Sequence, residues 1–171
     1  MNIPAIRQKA VRILKEMGVA SAPVDVERVA SFLGIDVRKN PTKDEISGFL
    51  FKQPGVLPVI GINSLHHPNR QRFTLSHEIG HFVLHPQEDM HVDKFVLQFR
   101  DSKSSTGEDE LEREANRFAA ELLMPKEFLQ RDLTEFGLHD LHDDEAVKQL
   151  AKKYEVSVQA MTTRLTSLGF A

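Results

Sequence analysis

The 171-residue sequence contains no cysteine, which removes disulfide frameworks, thiolate zinc sites, iron–sulfur clusters and thiol nucleophiles together. It lacks a long apolar run as well. The best stretch, Val56 to Ile62, is far too short to cross a bilayer. The N-terminus enters a charged amphipathic pattern with no apolar signal-peptide core, so the expectation is a cytoplasmic protein without a membrane partner. Positive charge is not in excess either: 22 Lys and Arg stand against 25 Asp and Glu, a formal net charge of −3, which argues against a dominant nucleic-acid surface. No internal repeat or low-complexity tract is visible. The composition, 40% hydrophobic and 27% charged, is that of an ordinary globular chain, and the length fits one unit over 1–171 with a real core. What is abundant is histidine. There are eight, and His66, His67, His77, His81, His85 and His91 crowd between positions 66 and 91, where metal or acid–base chemistry is to be sought first.

Apolar Ile6, Ala10, Ile13, Leu14 and Met17 recur at helical spacing, with Gly18 as the stop; Pro23 and Asp25 open a second short helix that ends at Gly34. Gly48–Phe51 and Leu57–Ile62 read as strands joined by a turn at Pro54-Gly55, with Pro58 pushing its part of the second strand toward a sheet edge. A longer helix is expected from about Pro68 to His85, a mobile loop from Gln87 to Gly107, and a helix from Glu108 to Leu123 broken by Met124-Pro125. Two helices, about Asp143 to Tyr154 and Ser157 to Leu168, give residues 141–171 a helix-turn-helix-like look within the same unit.

His77-Glu78-Ile79-Gly80-His81 is an HExxH sequence. On a helix, residues four apart share a face one turn up, so both imidazoles converge on one zinc ion, and the glutamate after the first histidine is placed to act as general base. His77, His81, His85, Thr74 and Glu78 fall within about 100° of the helical wheel, and Leu75, Ile79, Phe82 and Val83 cover much of the rest. Such a helix is a core helix with one polar sector, whose titratable groups need partners. His85 lies about 12 Å along the axis from His77, too far for both to reach one ion, and reads as a supporting or substrate-side group. The helix from Glu108 supplies a third donor. Its apolar face is Leu111, Ala115, Phe118, Ala119, Leu122 and Leu123, and Arg113, Glu114, Arg117 and Glu121 form a solvated opposite face. Glu112 falls on the apolar side, where a carboxylate needs a cation, with Asn116 one turn on to orient a ligand; Glu108, at the helix start, is a weaker rival. His77, His81 and Glu112 leave a fourth zinc position open, the mark of a catalytic site, with Glu78 as its base.

These residues resemble the ImmA/IrrE family of bacterial and phage metallo-endopeptidases. The matching blocks are Arg72–His85, Glu112–Pro125 (Glu-x-x-Ala-Asn-x-Phe-Ala in its first half), and Leu150–Val158 with Arg164-Leu165; Pro23–Glu27 through Leu33–Ile35 also looks familial. The resemblance implies an α+β fold, mostly helical and zincin-like, with a small sheet beside the HExxH helix. It implies one Zn2+ per chain (another divalent metal suits the same ligands), held by His77, His81 and Glu112 with Glu78 catalytic. It further implies cleavage of a helix-turn-helix transcriptional repressor encoded nearby, derepressing mobile-element, phage or stress genes.

Two other readings stand beside this one. The first is a regulatory protein that grips the repressor without cutting it. The second is DNA binding through the Leu150–Leu168 region as a helix-turn-helix, but over residues 141–171 Lys148, Lys152, Lys153 and Arg164 are cancelled by Asp143, Asp144, Glu145 and Glu155, and the second helix carries only Arg164, so no direct nucleic-acid partner is expected. Leu57–Ile62 has two readings, an exposed edge along which an extended substrate adds a strand, or simply a core strand. Oxyanion stabilisation calls for a donor such as His85, His91, His139, His142 or Tyr154, among which the sequence does not choose.

Overall fold

A computed structural model describes residues 1–43, 46–87, 90–94, 107–135 and 144–170. Asn2 caps α1 (Ile3–Glu16) by accepting from the Ala5 N–H, and the helix buries Ile6, Ala10, Ile13 and Leu14, the stripe that its sequence predicts. Asp25 caps α2 (Val26–Phe32) by accepting from the Arg28 N–H at 3.0 Å. Both helices stop at glycines of positive φ, Gly18 and Gly34.

Four strands follow: β1 (Asp36–Asn40), β2 (Ile46–Gln53), β3 (Val56–Asn63) and β4 (Met90–Lys94), in the sheet order β1-β3-β2-β4. The expected hairpin is β2–β3, turning at Pro54-Gly55. β1 runs parallel to β3 from Asp36↔Val59 to Asn40↔Asn63, and β4 is antiparallel to β2. Pro58 thus sits just before the stretch that β1 covers, where its missing N–H interrupts no bond to that neighbour. From Val59 onward, however, β3 is interior. The free-edge reading of Leu57–Ile62 is therefore overturned, because the short polar segment Asp-Val-Arg-Lys-Asn pairs along it. The charges that hide this segment from a hydrophobic reading also blunt the outer edge that it presents. β4 likewise falls inside the stretch expected to be loop; residues 88–89 and 95–106 of that stretch lie outside the described residues.

Helix α3 (Pro68–Leu84) starts with His67 Nδ1 accepting from the Asn69 N–H and lies on the sheet. A Cβ at Gly48 would come within 2.6 Å of Thr74 Cγ2, so the glycine permits this approach. Every residue from Thr74 to His81 is buried, as a core helix requires. Helix α4 (Gly107–Leu123) packs against α3 and is backed by α1. Its Ala115, Phe118, Ala119, Leu122 and Leu123 are fully buried.

The opposite face of α4 corrects the sequence reading. Glu114 and Glu121 are buried, because α1 packs against α4 and the side chains of Arg7 and Arg164 reach in onto Glu121. Glu121 accepts from Arg164 Nη1 at 3.0 Å and Nη2 at 2.5 Å, and from Arg7 Nε at 3.1 Å. Helix α5 (Lys126–Glu135) directly follows Met124-Pro125, so the proline there separates two helices and does not end the helical region. Helices α6 (Asp144–Tyr154) and α7 (Val158–Ser167) match the expected pair, with Ser157 capping α7. Arg164, the one cation of the would-be recognition helix, is turned inward onto Glu121 and the Met124 carbonyl. The fold is α+β, mostly helical, with its small sheet beside the HExxH helix.

Candidate metal centre

The polar sector of α3 faces α4. His77 Nε2 and His81 Nε2 approach to 3.1 Å, and the Glu112 carboxylate reaches across from α4, with Oε2 at 3.3 Å from His77 Nε2 and Oε1 at 3.2 Å from His81 Nε2. Among the described residues this trio is the one group able to hold a metal ion. The His77 and His81 side chains are 4% and 0% exposed, while that of Glu112 is 25% exposed, so the site opens toward solvent on the carboxylate side.

The donor set fits a zinc ion. Tetrahedral ligands at about 2.05 Å from zinc lie about 3.3 Å from one another; the two ring nitrogens stand 3.1 Å apart, the carboxylate turns Oε1 to His81 at 3.2 Å and Oε2 to His77 at 3.3 Å, and one ligand atom from each residue lies within 4.8 Å of the others. Proton placement agrees. Asn116 Oδ1 lies 3.0 Å from His77 Nδ1 and can only accept, so Nδ1 donates there and Nε2 is the ring nitrogen turned toward His81 and the carboxylate. Two imidazole nitrogens and a carboxylate brought together in this way are a donor set that suits a divalent cation.

The other sequence candidates are placed as follows. Glu78 is fully buried on α3 next to His77. His85, the C-cap of α3, does not belong to the metal-holding group; its ring centroid is 5.3 Å from that of His81, and its Nε2 donates to the Leu111 carbonyl at 3.3 Å. The Glu108 and His91 side chains, and His139 and His142, lie outside the described residues. Tyr154 is withdrawn as an oxyanion donor. It is fully buried, and its hydroxyl donates to Asp132 Oδ2 at 2.8 Å, an oxygen that also takes Lys153 Nζ at 2.9 Å. Burial, reinforced by the Asp132 carboxylate, pushes the Tyr154 phenol well above its ordinary range and keeps its proton in that bond.

One residue that the sequence reading passed over sets the helix approach. A Cβ at Gly80 would stand 3.1 Å from both Cα and O of Ala115 and 3.3 Å from Phe118 Cβ. The signal was present: glycine inside a helix costs about 1 kcal/mol relative to alanine, and its place between two candidate ligands asks for a packing reason. Gly80→Ala is therefore expected to destabilise the fold by about 1–3 kcal/mol through overpacking, and to weaken zinc binding, since the neighbours that must yield are backbone of the helix carrying Glu112. Thermal unfolding and zinc titration check this; a variant that gains stability, as alanine at an open helical site would, contradicts the close approach.

A family model described as the IrrE N-terminal-like domain, Peptidase M78, matches residues 30–166. The chain belongs to this family. Curated relatives include the radiation response metalloprotease IrrE of Deinococcus radiodurans, 38% identical over 109 residues, which are 63% of this chain and 30% of that protein. The IrrE of Deinococcus deserti is 38% identical over 99 residues, 58% of this chain and 32% of that protein. The uncharacterized immunity region protein 2 of Bacillus phage phi105 is 35% identical over 114 residues, 66% of this chain and 67% of that one. The matched stretch thus spans about a third of each Deinococcus protein. A Mycobacterium tuberculosis transcriptional regulator shares the fold, with a TM-score of 0.61 over 95% of this chain and 47% of its own, at 15% identity. No helix among the described residues is long and apolar enough to cross a membrane.

Proposed function

We propose that this protein is a zinc-dependent endopeptidase of the cytoplasm that cleaves a helix-turn-helix transcriptional repressor encoded nearby, releasing mobile-element, phage or stress-response genes. The observation that carries the reading is the convergence of His77, His81 and Glu112 at ligand-to-ligand distances. A regulatory protein substrate is supported by the names of two relatives, one a radiation response metalloprotease and one a phage immunity-region protein.

The proposed roles are these. His77, His81 and Glu112 hold the ion, and Asn116 keeps the His77 ring in the tautomer and orientation that holding it requires. A divalent cation bound there supplies Lewis-acid polarisation of a scissile carbonyl and acidifies the attacking water. Glu78 accepts that water's proton as the peptide carbon is attacked and returns it to the departing amine nitrogen, a general base turned general acid. The substrate enters on the Glu112 side, where the centre is open, since the two histidines are closed off by α3 packing.

The test is the mass of the repressor from the adjacent gene after incubation with the zinc-loaded protein. Two fragments whose masses sum to the intact chain plus one water are expected, and their appearance should stop on chelation and resume when zinc is restored. An intact repressor that co-purifies with the zinc-loaded protein would instead establish grip without cleavage.

A further inference from the structure

Helices α3 and α4 meet in an antiparallel register fixed at three points: His77 on Asn116, Gly80 on Ala115, and His85 on Leu111. The first two lie on the interior side of Glu112 along α4. The third lies one residue before it, in the early part of the helix, which begins at Gly107. Of these three points, the His85–Leu111 contact is the one on the N-terminal side of Glu112, toward the helix start, where ends fray.

His85 is well held for such a task. It leaves the helix at the C-cap with φ −121° and ψ 66°, while its own N–H donates to the His81 carbonyl at 3.0 Å. Its carbonyl accepts from Lys52 Nζ of β2 at 2.8 Å, which ties the end of α3 to the sheet. The ring then leans against His81, with an interplanar angle of 58°, and its Nε2–H reaches the backbone of α4. The imidazole is buried, so its hydrogen bond is shielded from competing water.

We infer that His85 is a positioning residue: by donating to the Leu111 carbonyl it fixes the distance of the Glu112 carboxylate from the two histidines, and so tunes metal affinity without touching the metal. The inference rests on the metal reading of the His77–His81–Glu112 site. It differs from a packing role in needing the donor. Glutamine at position 85 places an amide N–H near the position of Nε2, asparagine holds one too short to reach, and leucine has none.

The experiment is competition for zinc(II) alone between a chromophoric chelator and the full chain, with cobalt(II) absorption as a report on ligand geometry and thermal unfolding of the metal-free protein measured alongside. His85→Leu and His85→Asn are expected to bind zinc about 10–100-fold more weakly than the parent and to show altered cobalt bands. His85→Gln should recover most of the affinity and the parental spectrum. If the leucine variant does not fold, asparagine against glutamine makes the same comparison. Parental affinity and spectrum in the asparagine variant would overturn the inference, and so would equal losses in asparagine and glutamine. A parent chain that binds no zinc would overturn the metal reading itself, a result distinct from both.

Discussion

Glu78→Gln is expected to slow cleavage of the repressor by about 10²–10⁴-fold, the range that a positioned general acid–base group contributes, while zinc binds as in the parent. The side chain is fully buried, so a replacement of nearly the same shape is needed to leave the packing of α3 intact. Glutamine meets that demand and leaves His77, His81 and Glu112 in place, but its amide cannot take a proton from water at neutral pH. The contrasting variant is Glu112→Ala. It removes a donor from the trio, so metal and activity should fall together. Zinc content and single-turnover cleavage, read on the same preparations, separate the two roles. Full cleavage by Glu78→Gln with zinc bound would remove Glu78 from the mechanism.

Much of this centre is legible in the sequence because its information is local. His77, Glu78 and His81 lie within five residues of one helix, and helical geometry alone puts the two rings side by side. Glu112 is found by an anomaly, a carboxylate on the apolar side of its helix, and its partner then follows from chemistry. What stayed hidden depends on contacts between distant segments. Charged β1 carries no strand signal of its own; its pairing with β3 gives it order and removes the edge assigned to Leu57–Ile62. Tyr154 is one candidate donor by sequence, but its hydroxyl is held by Asp132, 22 residues away on α5. Glu121 read as one of four solvated charges on α4, since a helical wheel records the face of a residue and not what later folds against it.

That hidden pair also gives the largest expected effect on stability. Glu121 and Arg164 are joined by two hydrogen bonds in the interior, where α4 meets α7, and Arg164 Nε caps the helix end by donating to the Met124 carbonyl at 3.0 Å. Arg164→Leu leaves a buried carboxylate with only Arg7, and loss of one partner of such a pair costs about 3–5 kcal/mol. Replacing both, as Glu121→Leu with Arg164→Met, should recover most of that loss, because the charge that needed compensation is gone. The pH dependence carries the sign. Burial alone pushes the Glu121 carboxyl up, but the hydrogen bonds and charges of Arg164 and Arg7 outweigh it and hold the group below the usual glutamate range. A carboxylate depressed in the folded state contributes stability that is fully present at neutral pH and is lost as the pH falls below the ordinary carboxylate range toward the lowered value. Asp132, held down by Lys153 and Tyr154 against the upward push of its burial, adds to the same acid-side loss. Denaturant unfolding from pH 7 to pH 3 should therefore show a steep decline in the parent. The decline should be shallower in Arg164→Leu, where burial regains control of Glu121 and the neutral-pH advantage is already gone. An equally steep decline in that variant would mean that the Glu121–Arg164 pair does not link proton binding to folding.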